Sequence, residues 1–142
     1  MVSPEIAHAL KVMQPGAHSV LIYDSKENKR DVLFSHLRSG LADSRLVYVC
    51  SQERPEEIRR AMQDDGIDAE GLERRDRLTI SNYDQVYIKN GAVDTPGIIE
   101  GFTKLAWAST HQGFRSMRGA GEMSCFFTVS ITISVSNKFI LI

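Results

Sequence analysis

The chain has 142 residues, with 17 Lys and Arg against 18 Asp and Glu and a formal net charge of −1. Hydrophobic residues make up 42% and charged residues 25%, the composition of an ordinary globular domain. We therefore expect one domain over residues 1–142, large enough to build a core without disulfides or a structural metal. The balanced charge argues against nucleic-acid binding, because phosphate neutralisation requires a basic excess on at least one face.

Cysteine content and the chain ends bear on the compartment. Cys50 and Cys125 are too few for a disulfide scaffold and lack the spacing of a zinc site, which favours reduced thiols in a cytoplasmic protein. The N-terminus shows no secretory pattern. The apolar C-terminal stretch is interrupted by five Ser and Thr residues and by Asn137 and Lys138, which argues against a membrane span.

Hydrophobic periodicity predicts alternating strands and helices from the first half of the chain onward. His18–Tyr23 and residues 45–50 are short, apolar, β-branched runs typical of buried strands. Between them, residues 27–41 carry apolar side chains at helical spacing, with Ser25 placed as the N-cap and Gly40 near the end.

The second half continues this alternation. The predicted elements are a helix from Pro55 that turns Ile58 and Met62 inward, a strand over 77–82, a helix from after Pro96 to about His111, and a strand over 115–123 that continues through Phe126. An Asn-Gly turn signal, Asn90-Gly91, lies in the loop between the third strand and the third helix.

The alternation predicts an α/β fold of three layers, a mostly parallel sheet with helices on both faces, because parallel strands need crossover connections. Ligands of such sheets bind at the carboxyl ends of the strands. These ends are predicted at residues 23–28, 51–54, 82–87 and 122–124.

The C-terminal segment, residues 126–142, has a different pattern. Apolar residues alternate with Ser and Thr over 129–135, a period of two that is typical of a half-exposed strand. Residues 136–138 offer a turn, and a short strand follows at 139–142. We therefore predict a C-terminal β-hairpin.

Several of these motifs, in this order, resemble the MEDS domain, a sensory domain named from methanogen and methylotroph proteins and from the dichloromethane-responsive repressor. The motifs are the strand at 18–23, the helix end Gly40-Leu41, the loop at 84–94 with Tyr87, and Gly121-Glu122-Met123-Ser124. The resemblance covers about residues 15–124. The chain departs from the family at Cys125, where members usually carry an aromatic residue, and in the segment that follows.

The resemblance implies an intracellular sensor of a small organic molecule, such as a hydrocarbon derivative, that acts in signal transduction or transcriptional regulation. It implies a histidine kinase or a transcription regulator as the partner. The balanced charge and the interrupted C-terminal stretch predict no direct contact with nucleic acid or membrane. The resemblance also implies a fold that is a degenerate relative of the RecA/KaiC-type ATPases.

The loop after the first strand bears on the relation to ATPases. A P-loop has the pattern GxxxxGK[ST], because glycine amides cradle the phosphates and the lysine reaches the outer phosphates. The sequence here, YDSKENKRD, contains no glycine, although Lys26 and Lys29 keep positive charge nearby. We therefore expect a non-enzymatic domain without a cofactor. A divergent nucleotide-binding domain that uses Lys26 or Lys29 is the alternative, and a module that forms a homodimer through its terminal strand is a third hypothesis.

The candidate ligand contacts lie at or near the strand ends. They are His18, Tyr23, Asp24, Ser25, Lys26, Glu53, Tyr87, Arg118 and Glu122. Tyr23 and Tyr87 combine an apolar ring with a hydroxyl, and Glu122 needs a partner if buried, for which Arg118 is the expected one. Most of these residues also have a purely structural interpretation, as part of a strand end, a turn, a helix start or a salt bridge. No catalytic residue and no metal ligand is assigned.

Overall fold

The computed structural model describes residues 1–126 and 138–141. The helices in these ranges are α1 (Pro4–Val12), α2 (Lys26–Arg38), α3 (Pro55–Asp64), α4 (Ala69–Arg74), α5 (Tyr83–Val86) and α6 (Thr95–His111). The strands are β1 (Val20–Tyr23), β2 (Ser44–Cys50), β3 (Leu78–Asn82), β4 (Ile88–Lys89), β5 (Ala92–Val93), β6 (Ser116–Glu122) and β7 (Lys138–Leu141).

The main sheet has the strand order β1-β7-β6-β2-β3. Strand β2 pairs in parallel with β3 on one side and with β6 on the other. Strand β7 is antiparallel to both β1 and β6, so β1 runs in the same direction as the three parallel strands. The fold is therefore α/β, as predicted, with β6, β2 and β3 as a parallel three-strand unit, and the carboxyl ends of β1, β2, β3 and β6 meet at one edge.

Local sequence signals explain where the elements begin and turn. The Ser25 hydroxyl accepts a hydrogen bond from the backbone N–H of Asn28 at 3.1 Å, which confirms its role as the N-cap of α2. Asn90 and Gly91 both have positive φ, 52° and 76°, the backbone that a tight hairpin turn requires. This turn joins β4 to β5 and confirms the Asn-Gly signal.

All residues of β2 are buried, and the core consists of two clusters on opposite faces of this strand. Leu46, Tyr48 and Cys50 belong to a large cluster with the inner faces of α1 to α4. Val49 faces the other way and packs with Tyr87 and with apolar residues of α5 and α6. The sheet is thus covered on two sides, because successive side chains of a strand point to opposite faces.

Two elements differ from the sequence-based prediction, and a third is untested. Strand β6 ends at Glu122, and Cys125 and Phe126 are helical, so the predicted continuation through Phe126 is wrong. The first strand of the predicted hairpin, at 129–135, lies outside the described residues and stays a prediction. Strand β7 does not lie on an outer edge of the sheet, because it pairs with β1 over its length and with β6 at residues 140 and 141.

Helices α1, α4 and α5 and the short strands β4 and β5 are absent from the sequence-based prediction, although capping signals precede α1 and α4. The side chains of Ser3 and Asp68 accept hydrogen bonds from the backbone N–H groups of Ile6 and Gly71. Among the helices described here, none combines the length and the apolar character needed to cross a bilayer.

Gly121 of β6 provides a test of the packing between the sheet and the loop that holds Tyr87. A Cβ at Gly121 would lie 2.2 Å from the Tyr87 hydroxyl oxygen and 3.6 Å from the Cζ of that ring. Gly121→Ala should therefore lower the free energy of unfolding by about 1–3 kcal/mol through overpacking, as measured by urea denaturation. Tyr87→Phe removes the clashing oxygen, so the double variant should lose less than the sum of the two single losses. Strict additivity would contradict this contact.

Candidate functional site

The carboxyl ends of β1, β2 and β6 converge on a small set of polar groups. The Tyr23 hydroxyl, at the end of β1, donates to Gln52 Oε1 at 3.0 Å. Glu122, at the end of β6, accepts a hydrogen bond on Oε2 from the Gln52 backbone N–H at 2.7 Å and a second one from the Ser51 N–H. The segment that follows β2 is therefore attached to the ends of both β1 and β6.

The centre of this edge is the ammonium group of Lys29, which comes from the first turns of α2. Its Nζ lies 2.5 Å from Glu53 Oε2 and donates to Glu122 Oε1. The exposed fractions of the Lys29, Glu53 and Glu122 side chains are 1%, 3% and 0%. The same Nζ lies 5.9 Å from the centre of the Tyr23 ring, within cation–π range. A lysine ammonium is thus buried between two carboxylates.

Two further cations complete the arrangement, which we call the charged cluster: Lys26, Lys29, Arg30, Glu53 and Glu122. Arg30 Nε donates to Glu53 Oε1 at 3.0 Å, and Lys26 Nζ lies 3.2 Å from the same oxygen. Burial alone raises the pKa of Glu53, but the hydrogen bonds from Lys29 and Arg30 outweigh it and lower the pKa below the usual value. Glu53 is therefore held as a carboxylate.

The surroundings of Glu122 are those of a bound anion. Two consecutive backbone N–H groups and a lysine ammonium point at its carboxylate, a donor set that also binds phosphate in other proteins. Burial is the main cause that raises the pKa of the neighbouring Tyr48 phenol well above its usual value, and the negative charge of Glu122 is the second cause. The chain's own carboxylate thus satisfies this anion-binding set.

The chain matches one protein-family model over most of its length. A family model described as "MEthanogen/methylotroph, DcmR Sensory domain", or MEDS, matches residues 17–131. The chain belongs to the MEDS family. The family is one of sensory domains, which points to a sensory and non-enzymatic role. Searches of curated proteins and of solved structures gave no significant match.

Four of the predicted contacts of this MEDS domain lie together at the edge. Tyr23, Lys26, Glu53 and Glu122 are linked through the charged cluster or through Gln52. Asp24 and Ser25 lie next to them, where both side chains accept hydrogen bonds from Asn28 and so define the start of α2.

The remaining three predicted residues lie elsewhere. His18 is exposed and precedes β1, at the end of that strand opposite to Tyr23. Tyr87 is buried on the other face of β2, where its ring stacks on Phe126 with 5.1 Å between centroids. Arg118 donates to the Leu10 carbonyl oxygen at 2.8 Å.

The expected ion pair between Arg118 and Glu122 is wrong. Residues four apart are neighbours on a helix, but both of these lie on β6, where a rise of about 3.3 Å per residue separates them by about 13 Å. The partner of Glu122 is Lys29, which is distant in sequence and reaches it from α2.

Sequence reasoning gives Lys29 as a residual positive charge of the loop, or as the lysine of the nucleotide-binding alternative, and misses its burial. A signal was present, because Lys29 lies three and four residues before Val32 and Leu33, on the apolar face of α2. A lysine at such a position is buried with its helix face and requires carboxylate partners. The side chains of Ser51 and Gln52 give no comparable sequence signal that their backbone N–H groups bind Glu122.

Cys50 does not have the properties of a nucleophile in this MEDS domain. Its Sγ donates to the Ser81 carbonyl oxygen at 3.2 Å, and burial, followed by the charge on Glu122, raises the pKa of the thiol to about 12. The thiol therefore stays protonated at neutral pH. Within residues 1–126 and 138–141, no three His, Cys, Asp or Glu side chains are grouped as a metal site would require.

Removal of the buried ammonium should be strongly destabilising. Lys29→Met leaves two buried carboxylates without their shared cation, and breaking a buried pair in this way costs about 3–5 kcal/mol. Lys104 is a matched control, because its Nζ is 2.5 Å from Glu100 Oε1 while 74% of its side chain is exposed. Lys104→Met should cost less than about 1 kcal/mol. Urea denaturation at neutral pH measures both losses, and equal losses would contradict the structural role of Lys29.

The lowered pKa of Glu53 predicts a pH dependence of stability. The folded state binds a proton at Glu53 less readily than the unfolded state, so this stabilisation is present at neutral pH and is lost as the pH falls through the folded-state pKa. The melting temperature of Glu53→Gln should therefore lie below that of the parent at neutral pH, and the two should converge on acidification. A difference that stays constant over the acidic range would contradict this assignment.

Proposed function

We propose that this domain is a non-enzymatic, cytoplasmic sensor that binds a small organic molecule, such as a hydrocarbon derivative, at the carboxyl edge of its sheet. The bound state changes the loops after β1 and β3, and a histidine kinase or a transcription regulator detects the change. Membership of a sensory-domain family supports the signalling role. The low cysteine content supports the proposed cytoplasmic location.

One observation carries the choice of an organic ligand over a nucleotide. In a nucleotide-binding relative, the lysine after the first strand reaches the phosphates, whereas Lys29 is buried between Glu53 and Glu122. The N–H groups of Ser51 and Gln52 are directed at Glu122 as well. The donors that a phosphate needs are therefore occupied by carboxylate oxygens of the chain.

Two features of the fold support a distant relation to RecA/KaiC-type ATPases. Strands β6, β2 and β3 are parallel, and α2 follows β1 closely, at the place where such enzymes carry their phosphate loop. The loop contains no glycine, and the backbone N–H groups of the neighbouring segment hold an internal anion, Glu122. We propose that the architecture was kept while the ligand changed.

The proposed ligand contacts are those of the predicted residues that lie at or beside this edge. Tyr23, Asp24, Ser25 and Lys26 form its rim, and Glu53 and Glu122 its charged interior. Tyr87 acts from the loop after β3, while His18 and Arg118 position neighbouring segments. A homodimer through the terminal strand is not favoured, since β7 lies between β1 and β6 in the sheet.

Thermal denaturation with two ligand panels tests the proposal. A ligand at one hundred times its Kd that binds only the folded state stabilises it by about 2.7 kcal/mol, so the melting temperature rises by several degrees. Neutral organic compounds should produce such a rise, whereas MgATP and pyrophosphate should produce none. A rise with MgATP that disappears in Lys26→Ala would instead establish the nucleotide-binding alternative. The absence of any rise with organic compounds, neutral or charged, would contradict the sensor.

A further inference from the structure

A cavity of about 280 Å³, which we call the α6 cavity, lies between the strands β2 and β3 and the helix α6. Its floor consists of Val47 and Val49 of β2 and Thr79 and Ser81 of β3. These residues are paired in register, Val47 with Thr79 and Val49 with Ser81, so they form a compact patch on the face of β2 opposite to the large core cluster.

One face of α6 forms the roof. The residues that line the cavity from this helix are Gly97, Ile98, Gly101, Phe102 and Leu105. Their spacing of one, four, five and eight residues places them on a single face of the helix. Gln85 and Val86 of α5, in the segment that follows β3, close one end. The cavity therefore adjoins the carboxyl edge on the side away from Lys29.

Within residues 1–126 and 138–141, helix α6 is packed more loosely than the helices of the large core cluster. It has 17 residues, of which only Ser109 is buried by this part of the chain, whereas the 13-residue α2 buries six. Ile98, Phe102 and Leu105 are only half-buried although they face the sheet. Protein interiors are normally close-packed, so a helix whose apolar face lines a cavity is a position where a ligand would complete the packing.

The lining determines the chemistry of that ligand. None of the eleven lining residues is charged, six are aliphatic or aromatic and two are glycines. Thr79, Ser81 and Gln85 supply the polar groups, enough for one hydroxyl or carbonyl group of a ligand. An apolar cavity of about 150 Å³ holds benzene, so this volume suits a substituted ring or a short chain.

We propose that the α6 cavity is the ligand site of the sensor and that it takes a small, uncharged, mainly apolar organic molecule. This inference rests on the proposed function, and it moves the ligand from the polar residues of the carboxyl edge to the face of β2 and β3 that α6 covers. Val49 of the floor also packs with Tyr87, and Gln85 and Val86 precede it directly. Occupation of the cavity therefore acts on the loop after β3.

Benzene, with benzoate as a charged molecule of similar size, is the probe for this site. Backbone amide spectra of the ¹⁵N-labelled full chain should show saturable shifts with benzene at Val49, Ser81 and Phe102, and no shifts with benzoate. A Cβ at Gly101 meets no atom within 4 Å, so Gly101→Leu adds four carbons at the wall and improves helix propensity. This variant should stay folded and weaken benzene binding at least tenfold, whereas Thr103→Leu, on an exposed position of α6, should bind as the parent does.

The possible outcomes separate this inference from the proposed function. Benzene shifts confined to Tyr23 and Gln52, or benzene binding that is unchanged in Gly101→Leu, would overturn the α6 cavity and leave a sensor with its ligand at the charged edge. Equal binding of benzoate would overturn the ligand class. Absence of benzene binding, together with binding of another organic compound at Tyr23 and Gln52, would likewise overturn the cavity alone.

Discussion

The buried ammonium of Lys29 is the interaction on which the rest of this structure depends. It lies between Glu53 and Glu122, and so connects the start of α2 to the segment after β2 and to the end of β6. A charge in the interior is unfavourable unless it is paired, and here the carboxylates are also held by Arg30 and by two backbone N–H groups. The geometry of the carboxyl edge follows from these pairings.

The two faces of the sheet are built differently, and this difference underlies the functional interpretation. On the face of α2, large side chains are fully buried and the polar groups at the strand ends are paired within the chain. On the face of α6, half-buried apolar residues enclose a cavity. A firmly packed side and a loosely packed side, joined through β2, suit a domain that binds a ligand and transmits its presence without performing chemistry.

Sequence patterns were sufficient for the local elements and insufficient for the tertiary pairings. Ser25, Pro55 and the Asn90-Gly91 pair carry their structural meaning in adjacent residues, so the helix starts and the turn could be predicted. The partner of Glu122 could not, because Lys29 is 93 residues away and spacing along a strand says nothing about it. The insertion of β7 between β1 and β6 is likewise a consequence of sheet assembly, which periodicity does not encode. The α6 cavity depends on a local pattern and on tertiary packing. The apolar face of α6 could be predicted from the sequence, but the loose packing of this face against the sheet could not.

The central claim is that Lys29 is committed to carboxylates of the chain and does not serve an external anion. The most direct measurement is the ¹H–¹⁵N spectrum of the lysine ammonium groups, with the Lys29 signal assigned from its absence in Lys29→Met. The account predicts a signal protected from exchange with water at neutral pH, with couplings to carboxylate carbons of Glu53 and Glu122 and no change on addition of pyrophosphate. An ammonium group that exchanges rapidly with water and shifts with pyrophosphate would contradict it.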